Sequence, residues 1–311
     1  MKKILILGGN GFVGKNVCEV FDENNINYSV ASRNTGVDLR DLKQCLQLFD
    51  KIGPDFIINC AAHVGSLNYV SEIAATIVVD NTKMIISIYE AVEKICPKAI
   101  VINPIANCAY PAKSETFIED QLWNGQLHRS VLSYGGTRRL MWLVAECYKM
   151  QYGVKSINLL VPNMYGPYDS TDPNKAHALN ALISKFVKNN GSHEKNIEIW
   201  GTGAAIREWL YAKDFGKIIL EIIKNPMMLG LSEPVNIAQN YGLSVKELVE
   251  IIRLFFDNKI KIEYNFNKPD GAPKKIMDNT KFTKVFPKFK FTNMKKGIKN
   301  TIAYYESISP Y

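Results

Sequence analysis

Ile4-Leu5-Ile6-Leu7-Gly8-Gly9-Asn10-Gly11-Phe12-Val13-Gly14 is the stretch that decides the fold. Four consecutive apolar residues predict a buried strand, and the run from Phe12 to Asn24 predicts a helix. Gly8 permits a tight turn between them, Gly11 lets the backbone approach a pyrophosphate, and Gly14 lets helix and strand pack closely. The helix N-terminus adds unpaired N–H groups and the positive end of its dipole, so Asn10, Phe12 and Val13 join the candidate phosphate site. A glycine triplet alone is weak; here a strand precedes it and a helix follows.

Outward from this loop, short apolar runs alternate with helical stretches. Strands are predicted at Tyr28–Ala31, Phe56–Asn59, Ala99–Asn103 and Ser156–Val161, and helices at Leu42–Lys51, Val79–Lys94 and Tyr134–Tyr152. Continuous apolar strands separated by helices predict a parallel sheet covered on both faces, and right-handed crossovers make it doubly wound. After Pro162 the pattern changes, with Gly, Pro, Asp and Ser clustered over Tyr165–Asn174. The expected fold class is α/β: a Rossmann-like doubly wound parallel sheet over residues 1–165, with a smaller C-terminal α/β substrate-binding lobe over 166–311. Segments within about 205–240, Pro234–Ala238 among them, are expected to return to the first unit.

The whole chain of 311 residues carries a formal charge of +8, but its lysines are spread out, which favours a solvated surface with a few phosphate-directed cations over a nucleic-acid groove. Six cysteines without C-x-x-C spacing fit a reduced, cytoplasmic protein better than a disulfide framework. The apolar run Ile4–Leu7 is far too short for a membrane span or leader. His63, His128, His177 and His193 show no metal-ligand spacing, so no metal is expected.

Binders of NAD usually place an acid at the end of the second strand for the ribose 2′-hydroxyl. Here Ala31-Ser32-Arg33-Asn34 stands there, and a hydroxyl beside a guanidinium suits a 2′-phosphate. NADP(H) is therefore favoured, with NAD(H) the alternative; Asp38 and Leu39 suit contact with adenine.

Further motifs follow in order: Ala61-Ala62-His63-Val64-Gly65, Asn107-Cys108-Ala109-Tyr110-Pro111, Tyr134, Pro162-Asn163-Met164-Tyr165-Gly166-Pro167 and Ala176-His177-Ala178-Leu179. Trp200-Gly201-Thr202-Gly203, Arg207-Glu208-Trp209-Leu210 and Lys268-Pro269-Asp270-Gly271 complete the set. With the glycine loop, these make the chain resemble the extended short-chain dehydrogenase/reductases, and within them the GDP-L-fucose synthases, from residue 3 to past 275. The resemblance implies NADPH-dependent reduction of a ketone at sugar C4, with Tyr134 as proton donor, and adds Ala61, Ala62, Val64 and Pro162 to the cofactor-binding residues. An alkoxide forming on the substrate needs a positioned acid, and a phenol needs a neighbouring cation to act near neutral pH.

Two positions depart from the family's pattern. Arg138 stands where a lysine is usual, one helical turn after Tyr134; it keeps the charge but cannot join a proton relay. It is expected to depress the Tyr134 pKa and to contact cofactor ribose hydroxyls. Ala106 replaces the family's serine, leaving Asn107 or Thr137 to hydrogen-bond the substrate oxygen. Cys108 and His177 match the pair that epimerises C3 and C5 in the fucose synthases, which permits epimerisation without requiring it.

On the substrate side, Asn163 lies at a strand's C-terminal end, where open α/β sheets bind ligands. Arg207 and Lys274 are candidate diphosphate partners, and Trp200 a candidate wall for the base. The expected function is C4-keto reduction of a 4-keto-6-deoxy sugar nucleotide, GDP-linked by resemblance, hexose or heptose, in the making of a surface polysaccharide sugar. Alternatives are a sugar-nucleotide C4 dehydrogenase or epimerase holding NAD(H), and a non-catalytic dinucleotide-binding sensor or scaffold. The helix from Tyr134 suits pairing in a homodimer.

Overall fold

The computed structural model describes residues 2–190, 196–226, 233–256, 260–268 and 272–310. His193 and Pro269-Asp270-Gly271 lie outside the described residues.

The chain begins with β1 (Ile4–Leu7), α1 (Phe12–Glu23), β2 (Ser29–Ala31), α2 (Leu42–Ile52) and β3 (Phe56–Asn59). It continues through α3 (Leu67–Glu72), α4 (Ala74–Ile95), β4 (Ile100–Ala106), β5 (Thr116–Phe117), α5 (Leu132–Tyr152), β6 (Lys155–Val161) and β7 (Asn163–Tyr165). Then come α6 (Ala178–Asn190), β8 (Asn196–Trp200), β9 (Ile206–Tyr211), α7 (Ala212–Lys224), β10 (Val235–Asn236), β11 (Gly242–Ser244) and α8 (Val245–Arg253). The last elements are β12 (Lys261–Asn265), β13 (Lys274–Met277), α9 (Thr280–Val285) and α10 (Met294–Ser307).

The main sheet runs β10-β6-β4-β3-β1-β2, parallel throughout. Its strands are apolar on both sides because helices cover both faces: one cluster holds Leu5, Ile57, Val101 and Leu160 with α2, α4 and α5, the other Ile4, Ile58, Leu159 and Phe215 with α1 and α7. The chain leaves β1 for β2 on one side and then crosses to β3 on the other. That reversal opens a crevice at the C-terminal ends of β1 and β3, where such sheets hold ligands. Val235 and Asn236 join the main sheet beside β6.

Strand β4 passes through Pro104 to Ala106, three residues beyond its predicted end. Its pairing with β3 stops at Ile102, so Pro104 has a strand neighbour, Leu159, on one side only, and a missing N–H is tolerated there. Pairing with β6 as far as Ala106–Val161 carries the chain to the turn at Asn107–Ala109.

The later residues, joined by β5 and β7 from the first half of the chain, build a mixed sheet, β11-β9-β13-β5, with β7 also on β9, and a two-stranded sheet of β12 and β8. Their core gathers Phe186, Trp209, Tyr211, Leu248 and Ile298. Among the described residues no helix is long and apolar enough to cross a membrane.

Candidate active site

The glycine loop is built from backbone. Gly8 has φ +73°, and a Cβ there would stand 2.8 Å from the Cα of Ala61. A Cβ on Gly14 would overlap the Gly8 carbonyl oxygen and lie 2.6 Å from the Cα of Gly9. Helix α1 starts from Gly11 with no side-chain cap and no acidic residue in its first turn, so its N–H groups stay available to an anion. Asn10 Oδ1 accepts a 2.7 Å bond from the Ser32 hydroxyl, tying the loop to the end of β2, where Arg33 is exposed. A cavity of about 260 Å³ lies here, lined by Gly8, Asn10, Gly11, Ser32, Arg33, Asp38, Leu39, Arg40, Ala61, Ala62, His63 and Asp80. Phe12 and Val13 are half-buried at the start of α1.

One wall of this cavity is a chain of charges. Arg40 reaches Asp38 at 2.6 Å and Asp80 of α4 at 3.0 Å. His63 is 2.8 Å from Asp80 through Nδ1 and 2.8 Å from the Tyr69 hydroxyl through Nε2. The Arg40 guanidinium holds the Asp38 carboxyl below the usual range. Burial would raise Asp80, but Arg40 and His63 hold it down on balance. Asp38, expected to meet adenine, thus gives its carboxylate to Arg40, and Leu39 is largely buried in the core.

A second cluster, around Tyr134, is built from side chains. Tyr134 lies in the first turn of α5, and the Arg138 guanidinium carbon sits 4.9 Å from the centre of its ring. Arg138 is 2% exposed; it donates 3.1 Å to Asn81 Oδ1, while its Nε has no partner. Asn81 also clamps the loop after β3, accepting from His63 N at 3.1 Å and donating to His63 O at 2.9 Å. Arg138 acts on Tyr134 in the expected direction, but burial outweighs it. Burial raises the phenol, Arg138 pulls it down and Cys108 pushes it up, leaving it above its ordinary value. Thr137 spends its hydroxyl on Tyr134 O at 2.8 Å, which removes it as a stand-in for the missing serine.

Asn107, Cys108 and Ala109 form a short 3-10 turn directly after Ala106. Helix α5 reaches this turn because position 135 is glycine: a Cβ there would lie 2.5 Å from Cys108 O. Burial pushes the Cys108 thiol up to about 11, against the pull of Arg138 and Lys275. Lys275 lies opposite Arg207 in the β13–β9 ladder and shares its face. Burial lowers its pKa, as does Arg207, while Cys108 opposes them. Lys274, the expected diphosphate partner, points the other way and is exposed; Lys275 is the lysine beside Arg207 and Cys108.

His177 holds the buried Asp169 carboxylate at 3.0 Å through Nδ1, and its ring centre is 5.2 Å from that of Phe12, next to the glycine loop. Burial would lower its pKa; Asp169 outweighs this and raises it. Asn163 donates to Glu208 O at 3.3 Å. Glu208, fully buried, accepts backbone N–H bonds from Gln239 (2.6 Å), Asn240 (3.2 Å) and Met277 (2.8 Å), so it joins β9 to β13 and the turn before β11. Pro162 is buried between β6 and β7, and Val64 is half-buried in the loop before α3. Trp200 stands apart at the end of β8, 51% exposed, bonded to Glu198 and 5.0 Å from Lys268.

Comparison with known proteins agrees with this architecture. The model of the NAD dependent epimerase/dehydratase family matches residues 4–238. The chain is 27% identical to GDP-L-colitose synthase of Yersinia pseudotuberculosis, over 97% of each protein. It is 25% identical to a probable GDP-L-fucose synthase 1 of Oryza sativa subsp. japonica, over 97% of this chain and 92% of the relative. A GDP-6-OMe-4-keto-L-xylo-heptose reductase from C. jejuni superposes with a TM-score of 0.88 at 20% identity, covering 98% of both chains. The glycine loop, the sheet order and these matches together make the chain a member of the NAD dependent epimerase/dehydratase family.

Proposed function

We propose that this protein is an NADPH-dependent reductase of the C4 ketone of a GDP-linked 4-keto-6-deoxy sugar, hexose or heptose, serving a surface polysaccharide. The observation that carries this reading is Tyr134 beneath Arg138 and close to Cys108, at the same end of the parallel sheet as the glycine loop. The names of the relatives support the GDP-sugar, and a GDP-L-fucose synthetase from Naegleria fowleri bound to NADP, with a TM-score of 0.81, supports the cofactor.

A dinucleotide fits the residues present. The glycines keep Cβ atoms out of the turn, α1 offers an uncapped N-terminus, and Arg138 Nε lacks a partner. Gly8, Gly11, Phe12, Val13 and Gly14 would hold the pyrophosphate, Arg33 and Ser32 the 2′-phosphate, and Ala61, Ala62, Val64 and Pro162 the walls. Reduced nicotinamide supplies a hydride. Tyr134 donates its proton to the C4 oxygen, and Arg138 stabilises the phenolate left behind. Arg207 and Lys275 neutralise the diphosphate, and Asn163 and Asn107 orient the sugar. Trp200, exposed on the β8 edge, would pack on the base only after sugar nucleotide binding.

Reduction takes precedence over C3/C5 epimerisation. Epimerisation needs an acid and a base at C3 and C5; burial raises the Cys108 thiol against the pull of Arg138 and Lys275, and Asp169 raises His177, so reduction is the step these residues support more directly. Asp38 and Asp80 in the cofactor cavity favour NAD(H) as the second cofactor reading.

The test is loss of reduced-nicotinamide absorbance with GDP-linked 4-keto-6-deoxy hexose and heptose, followed by mass spectrometry of the product made in deuterated water. Turnover without deuterium at C3 and C5 supports the reading. NADPH binding with no turnover on any such sugar would leave a dinucleotide-binding sensor as the better account, and reduced NAD retained through purification would point to the C4 dehydrogenase or epimerase.

We place the enzyme in the cytoplasm, in keeping with six unpaired cysteines. We also assign it a homodimer: Val79 and Ile86 of α4 and Leu132, Leu143 and Met150 of α5 are exposed apolar residues on neighbouring helices. Sedimentation of a monomer at micromolar concentration would contradict that assignment.

A further inference from the structure

We infer that Asp80 is a cofactor-specificity residue, which holds Arg40 against two carboxylates so that the adenosine cavity selects only weakly for the 2′-phosphate. The inference rests on the proposed placement of the dinucleotide in that cavity.

The cavity wall contains two carboxylates and one guanidinium in direct contact, Asp38 at 2.6 Å and Asp80 at 3.0 Å from Arg40. Nε and NH2 of Arg40 face Asp38 and NH1 faces Asp80, so every guanidinium nitrogen has a carboxylate partner. Three of its five N–H groups are thereby committed to carboxylates, and the three charges sum to a net negative wall. His63 fixes the far side of Asp80, with Tyr69 behind it, so Asp80 cannot swing away without breaking that contact. Arg33, across the same cavity, is exposed and adjoins Ser32. A 2′-phosphate entering there meets one attractive cation and one repulsive, prearranged wall. Asp38 stands two residues from Arg40, but Asp80 comes from α4, forty residues away, and serves no capping or core role. Its two contacts are both to groups that line the cavity.

Removing the Asp80 charge while keeping its shape should strengthen binding of the 2′-phosphate form without strengthening the form that lacks it. The experiment measures NADPH and NADH dissociation constants by nicotinamide fluorescence for the intact wild type, Asp80→Asn and Arg40→Leu. For Asp80→Asn the NADPH-over-NADH affinity ratio is expected to rise about tenfold, and for Arg40→Leu to fall by a similar factor. A purely structural role would move both affinities together and leave the ratio alone; that result overturns the inference. A lower ratio in Asp80→Asn also overturns it, because Asp80 would then be presenting Arg40 to the phosphate. If Asp80→Asn does not fold, Asp80→Ser takes its place: a rise in the ratio sustains the inference, and an unchanged or lower ratio overturns it. A wild type that binds neither dinucleotide defeats the cofactor placement itself, and the inference with it.

Discussion

The two ends of the cleft are built by different means. At the glycine-loop end the backbone makes the site: Gly8 sits at φ +73°, a Cβ added there would strike Ala61, and one added at Gly14 would strike Gly8. At the Tyr134 end side chains make it, with Arg138 over a phenol ring and Lys275 and Arg207 across a strand ladder. Backbone geometry tolerates no substitute, whereas a cation supplied by a side chain can change type. The glycine loop accordingly keeps its full spacing, while Arg138 and Ala106 depart from pattern at the other end.

Substitutions can break this contrast. Gly14→Ala should have the largest effect on cofactor affinity, weakening it by at least about a hundredfold, because the added methyl meets backbone rather than a movable side chain. Titration of NADPH fluorescence checks it, and near-normal affinity would show that the loop adapts. Arg33→Leu should weaken NADPH about tenfold and leave NADH nearly unchanged, since a single phosphate contact is lost. Equal loss of both would remove Arg33 from the 2′-phosphate role.

The smallest effect concerns Glu208, whose position behind Asn163 and Arg207 sharpens the side-chain half of the comparison. Burial raises its pKa from 4.5 to about 7, against three backbone N–H donors. Stability linked to its neutral form is fully present below about pH 4.5 and is lost as pH rises through about 7, on the order of 3 kcal/mol. Denaturant midpoints of the wild type should fall across that window, while those of Glu208→Gln should stay flatter. Parallel slopes would locate the pH dependence elsewhere.

The sheet and the glycine loop were legible because they rest on local patterns: apolar runs of strand length and a fixed glycine spacing. What escaped the sequence is non-local or a matter of phase. Apolar strands concealed a buried amide row, in which Asn103 donates to Asn158 at 3.1 Å and accepts from Asn59 at 3.3 Å across three strands. Each of these amides looks like an isolated polar residue until the strands align. Lys274 and Lys275 were indistinguishable without the strand's starting point, since a one-residue shift exchanges the faces. The Arg40–Asp80–His63 chain links residues brought together only by the crossovers around β3. The sign of the Tyr134 shift also needed the fold, because spacing reveals the cation but not the burial that outweighs it.

The most direct measurement is single-turnover reduction of a GDP-linked 4-keto-6-deoxy sugar by wild type and Tyr134→Phe, with NADPH affinity determined alongside. The account predicts a loss of about a thousandfold in rate, at an affinity within about twofold of wild type, when the phenolic proton is removed. A Tyr134→Phe enzyme turning over within about tenfold of wild type would mean that the proton comes from another group.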